Sequence, residues 1–186
     1  MAIEQHRLTL EKFLKLPEEK PALEFLEGTV TQKVAPQGKH SVLQYAIAER
    51  INRAMSPDKR AYAFPELRAT FAGVSRVPDV AVYRWERIPR DEAGEVANTF
   101  SEPPDIAIEI VSPGQSTNAL LRRCLWFVAN GVAVAILADP EDKSLLVFRP
   151  GQSPQPLHGS DRIALDEVLP GFELTVEDLF ASLSMT

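Results

Sequence analysis

Apolar positions along the chain follow two periods, and the switch between them marks out the elements. In HSVLQYAIAERINRAM, residues 40–55, Leu43, Ile47, Ile51 and Met55 fall on one stripe at helical spacing, which predicts an amphipathic helix. NALLRRCLWFVANG predicts a second one, with Gly131 placed to cap its C-terminal end. Thr9 is placed to cap a short helix over LEKFLKL that stops before Pro17. The period becomes two in ALEFLEGTVTQKV, which alternates around Glu27-Gly28 and predicts two strands joined by a tight turn. AYAFPELRATFA, VPDVAVY and DIAIEIVS are three further strand-like runs. VAVAILAD is almost wholly apolar and suits a strand buried on both faces, with SLLVFRP as its neighbour after the turn at DPEDKS. VLPGFELTVEDLF is expected to end in a short helix from near Thr175, and the polar stretch 85–104 reads as an excursion between two core strands.

Strands bracketed by helices, with an antiparallel beginning, predict the α/β (α+β) class and a mixed sheet covered by helices. A chain of 186 residues, 45% of them hydrophobic, can build one core, so a single domain over 1–186 is expected. No apolar run is long enough to span a membrane, and MAIEQHRLTLEKF lacks the apolar core of a signal peptide, so a soluble, cytoplasmic protein is expected. Cys124 is the one cysteine, which excludes an intramolecular disulfide and a cysteine-rich zinc site. A formal net charge of −6 argues against broad coating of nucleic acid, yet a site that collects cations needs only local carboxylates.

Two such carboxylates stand in strand-like runs. Side chains alternate across a strand, so Ile106, Ile108 and Ile110 share one face, while Asp105, Ala107, Glu109 and Val111 share the other. Asp79 shares a face with Val77, Ala81 and Tyr83. On adjacent strands Asp79 and Glu109 would converge, and their hard oxygens would suit Mg²⁺ or Mn²⁺ able to activate a water for phosphodiester attack. The other reading is that Asp79 follows a proline at a strand entry and Glu109 lies on a solvated face.

RVPDVAVY, PPDIAIEIVSPGQS, ANGVAVAILADPEDKSLLVFRP and VLPGFELTVEDLF resemble, in order and spacing, the Uma-two family of restriction-endonuclease-like proteins, with LEFLEG and PELRATF fitting its earlier segments. That family lies within the PD-(D/E)XK nuclease superfamily. The resemblance implies a restriction-endonuclease-like mixed sheet flanked by helices, DNA as substrate, a Mg²⁺ (or Mn²⁺) cofactor and a homodimer. It implies Asp79 as the central metal ligand, Glu109 as the motif acid, and the backbone carbonyl of Ile110 as a further ligand. Glu66, Glu24 and His40 match positions near such a site. The motif lysine is expected two residues after Glu109, where this chain has Val111. The displaced family position falls on Arg123, and Phe127 stands where many relatives carry tyrosine. Arginine keeps a charge that can hold a phosphate, but it is a poor proton shuttle. The alternative is therefore a catalytically degenerate member acting as a binding or interaction module.

The remaining chemistry-bearing residues carry less. His6, His40 and His158 have no metal-ligand spacing, and Cys124 has no neighbouring histidine, so a buried, inert thiol is expected. Trp126 and Phe127 read as core or interface residues, with Trp85 and Trp126 the hydrophobic candidates for a dimer contact.

Overall fold

The computed structural model describes residues 8–186, so His6 lies outside the described residues. Among the described residues four α-helices and ten strands follow in chain order: α1 Leu10–Phe13, β1 Leu23–Leu26, β2 Thr29–Gln32, α2 Gly38–Met55, β3 Ala61–Pro65, β4 Ala69–Phe71, β5 Val74–Arg76, β6 Val80–Arg84, β7 Ile106–Ile110, α3 Thr117–Ala129, β8 Val134–Asp139, β9 Ser144–Phe148, β10 Gln155–His158 and α4 Val176–Ala181. They form a six-stranded sheet in the order β10-β9-β8-β7-β6-β3 and a four-stranded sheet in the order β2-β1-β5-β4. In the larger sheet β7 and β8 run parallel and the other neighbours antiparallel, so it is mixed, as expected.

The parallel pair requires a crossover, and α3 supplies it. Ser116 caps α3 by accepting from the Ala119 amide, and Gly131, at φ 96°, lets the chain leave the helix as its apolar pattern implied. Leu120, Cys124 and Phe127 pack on Ala107, Ala135 and Leu137. On the opposite face the α2 stripe Leu43, Ile47, Ile51 and Met55 packs with Ile106, Ile108 and Ile110, alongside Leu179 and Phe180 of α4. Both faces of β7 are therefore covered, and every residue of IAIEI is buried.

The tight turn after β1 has Glu27 at φ 49° and Gly28 at φ 85°, the pair of positive values that a two-residue hairpin turn of type I′ needs. Ala72 and Gly73 repeat that geometry between β4 and β5, at φ 50° and 73°. AYAFPELRATFA is not one strand. It breaks at Glu66, φ 49°, and sends β3 to the large sheet and β4 to the small one. GVSRVP, with no evident pattern, holds β5, and β10 likewise had no apolar alternation to announce it.

Asp105, at the entry to β7, shows how the fold treats an acid that is purely structural. It is buried, and it accepts from the Arg84 amide at 2.8 Å and the Arg84 guanidinium at 2.9 Å, with Arg87 at 2.7 Å. Asp105→Ala leaves that amide without its acceptor and takes the carboxylate from two arginines, which keep only the carbonyls of Glu167 and Pro103. We expect a loss of about 2–4 kcal/mol of stability, measured by urea denaturation.

Candidate active site

β6 and β7 set the first two residues of the site. Their antiparallel register pairs Val80 with Ile108 and Ala81 with Ala107, and continuing it by one residue sets Asp79 opposite Glu109. Side chains opposed in this way stand about 4.5–5.5 Å apart at Cβ. The Ile110 amide donates to Asp79 Oδ2 at 2.7 Å, and the Asp79 carbonyl accepts from the Glu66 amide at 3.1 Å and Gln44 Nε2 at 2.9 Å. Asp79 is thus pinned by α2 and by the strand turn as well as by β7. Both carboxylates are only 2% exposed, so Glu109 is not on a solvated face. That face is closed by α3 and the small sheet.

The small sheet and α3 deliver the rest. Glu24 on β1 accepts from the Val77 amide at 2.6 Å. Arg123, from α3, donates through Nε to Glu109 Oε1 at 2.6 Å, through Nη1 and Nη2 to Glu24 at 2.5 and 2.6 Å, and through Nη2 to the Val77 carbonyl at 3.1 Å. Lys33, just past β2, donates to Asp79 Oδ1 at 2.6 Å and to the Val77 carbonyl at 2.8 Å. His40, in the first turn of α2, pairs Nδ1 with Ser112 Oγ at 2.9 Å. Its Nε2 is buried 3.4 Å from Asp79 Oδ1 and has no hydrogen-bond partner among the described residues. A cavity of about 180 Å³ opens between these groups, lined by Lys33, His40, Asp79, Glu109, Gln115 and Arg123 among others.

Burial and charge act on these acids in opposite directions. Burial pushes Glu109 up to about 7 against the pull of Arg123, and the neighbouring charge of Asp79 adds to the push. Burial also opposes charge on Asp79, but the His40 ring and the Lys33 ammonium outweigh it and hold that carboxyl at about 2. Glu24 is likewise buried, and Arg123 with the Val77 amide lowers it below the usual carboxylate range. Lys33 loses solvation, but Asp79 and Glu109 raise it above the ordinary lysine value.

Of the residues expected near the site, Asp79, Glu109, Arg123, Glu24 and His40 converge. At Ile110 the recorded contact with Asp79 is made by the amide. Glu66 contributes its backbone amide to Asp79, while its side chain is exposed. Val111 packs among the apolar residues under α3. His158 is exposed on β10. Cys124 is fully buried, with its thiol pushed up by burial. Phe127 lies beneath Arg123, 5.7 Å from its guanidinium, and Trp126 lies beneath Arg76 at 5.1 Å. The residue that sequence reasoning missed is Lys33. One lysine at the end of an exposed hairpin strand looks like ordinary solvated charge, and only the docking of the small sheet turns it inward.

Among the described residues, no three His, Cys, Asp or Glu side chains are grouped for a metal ion. Two facing carboxylates fit Mg²⁺ nonetheless, because that ion is commonly held by one or two carboxylates and keeps much of its water. His40 Nε2, 3.4 Å from Asp79 Oδ1 and short of hydrogen-bond geometry with it, adds a polar nitrogen to the cavity lining.

The two acids give the metal-free protein opposite pH dependences. Between the ordinary 4.5 and about 7, the folded chain keeps a proton on Glu109 that the unfolded chain has released, so this contribution to stability is lost as pH rises through that window. Asp79 contributes above its ordinary 3.8 and loses that contribution as pH falls toward about 2. In EDTA, the thermal midpoint of Glu109→Gln is expected to fall less than that of the wild type between about pH 5 and about pH 8.

Comparison with known proteins agrees with this architecture. A crystal structure from Anabaena variabilis, described as "a putative nuclease belonging to DUF820", is 40% identical. It aligns over 95% of this chain and 99% of its own with a TM-score of 0.91, and it has the same mixed α/β fold. A DrdV–DNA complex matches at 12% identity and a TM-score of 0.39 over 74% of this chain and 11% of that one, too slight to bear on fold or function. No curated protein matches. Residues 10–177 match the Uma2 family, described as "Putative restriction endonuclease", and the chain belongs to that family.

Proposed function

We propose that this chain is a divalent-cation-dependent DNA endonuclease of the PD-(D/E)XK type. The observation that carries the reading is the opposition of Asp79 and Glu109 inside a buried polar cavity, in a chain of this family. Asp79 and Glu109, with the Ile110 carbonyl, are the groups that would hold Mg²⁺ or Mn²⁺. When bound, the cation supplies Lewis acidity and positive charge to the phosphodiester. The chain's own residues do the positioning. Arg123 fixes Glu109 from one side and the Ile110 amide fixes Asp79 from the other, so neither carboxylate must reorganise during the reaction. In the hydrolysis a water oxygen bonds to phosphorus and one ester P–O bond breaks. The proton released by the water ends on the leaving oxygen, which yields a phosphomonoester and a hydroxyl.

The net charge of −6 does not oppose this reading. Lys33, Arg76 and Arg123 supply positive charge at the cavity or immediately beside it, where a phosphate would enter.

Cleavage of supercoiled plasmid with Mg²⁺ or Mn²⁺ at about pH 8 is the direct test, with EDTA abolishing it. Asp79→Ala and Glu109→Gln are each expected to lower cleavage by at least about 100-fold, because each removes a preorganised charge. Titration calorimetry is expected to show Mn²⁺ binding by the wild type that Asp79→Ala loses. Failure to cut supercoiled, linear or single-stranded DNA overturns the enzymatic reading. A second reading, an interaction module, draws on Val111 and Arg123 at both positions where a lysine was expected, and Mn²⁺ binding without cleavage would select it.

A further inference from the structure

We propose that Lys33, brought into the site by the small sheet, is the catalytic cation of this centre, and that Arg123 is a positioning residue. This rests on the endonuclease reading and assigns a role that reading leaves open.

The two cations differ in how rigidly their N–H groups are held. A guanidinium carries five in a rigid fork and an ammonium carries three on a flexible stem. Arg123 Nε meets Glu109, its Nη1 meets Glu24, and its Nη2 meets both Glu24 and the Val77 carbonyl. Phe127 closes one face of the guanidinium, and the side chain is 11% exposed. Four of its five N–H groups are thus engaged, and the rigid fork cannot turn the fifth, on Nη1, to follow a substrate without breaking its bonds to two buried carboxylates. Lys33 is placed differently. It lines the cavity beside Asp79 and Glu109, and its two bonds, to Asp79 Oδ1 and the Val77 carbonyl, leave one N–H without a protein acceptor among the described residues.

The frame around Lys33 is fixed while its end is adjustable. Its amide donates to the Ala22 carbonyl at 2.9 Å, which extends the β1–β2 ladder by one step and holds the backbone. The four-carbon stem then lets the ammonium follow an entering phosphate or water without disturbing either strand. Neither β7 nor α3 offers a cation as free to move, since Val111 is packed under α3 and Arg123 is held in place by four hydrogen bonds. Lys33 would donate its free N–H to a non-bridging phosphate oxygen or to the attacking water, and so oppose the negative charge that grows in the transition state.

Chemical rescue tests this directly. Lys33→Met and Lys33→Cys are expected to lose at least about 100-fold in metal-dependent plasmid cleavage. Both are expected to keep the wild-type circular dichroism spectrum and to bind Mn²⁺ by calorimetry. Alkylation of Lys33→Cys with 2-bromoethylamine rebuilds a lysine-like side chain and is expected to restore cleavage. The same reagent spares the wild type, because Cys124 is 0% exposed. Cleavage by Lys33→Met within a few-fold of the wild type would overturn the assignment and leave the endonuclease reading standing. So would loss of Mn²⁺ binding in Lys33→Met, a failure of rescue in fully alkylated protein, or a gain in cleavage on Arg123→Lys. A wild type that cuts no DNA overturns both.

Discussion

The ion network that joins Glu109 to Arg123 and Arg123 to Glu24 is the constraint on which the rest of the architecture turns. Each of its members comes from a different element, and none is soluble in the core alone. Removing a charge from water costs several kcal/mol in order of magnitude, and only a well-placed counter-charge returns it. β7 can therefore carry Glu109 in a buried apolar run only if α3 docks with Arg123 inward. Arg123 can dock there only if β1 brings Glu24. The small sheet is thus bound to the large one by charge as much as by apolar contact, and Lys33 on Asp79 makes a second such tie. A centre of this kind assembles only in the complete fold, which is also what keeps its carboxylates preorganised.

How much of this was legible in the sequence follows from which interactions are local. Helical spacing in α2 and α3, the capping residues Thr9 and Thr175 and the Glu27-Gly28 turn are local signals, and each appears where the pattern placed it. Strand alternation also separated the isoleucine face of β7 from the face that carries Glu109. The division of residues 61–72 between two sheets was not legible, because β3 and β4 both alternate and only a backbone turn at Glu66 separates them. The same holds for the site. Asp79 and Glu109 stood out as acids among apolar neighbours, and the family resemblance set Arg123 beside them. Lys33 stood out by nothing, since its meaning arises from a contact with a residue 46 positions later.

Charge balance also accounts for the residue that breaks the expected motif. Three buried carboxylates, Glu24, Asp79 and Glu109, face three cations, Lys33, Arg76 and Arg123. A lysine at position 111 would add a fourth cation on the face that α3 covers, beside Arg123 and with no acid left to pair with it. Like charges held together out of water repel, and the extra ion would go without compensation. Valine there instead packs with the apolar residues of α3. Val111 is on this view a consequence of where the positive charge enters. Once the hairpin that begins at β1 places an ammonium on Asp79 and the helix places a guanidinium on Glu109, the strand between them has no further charge to supply.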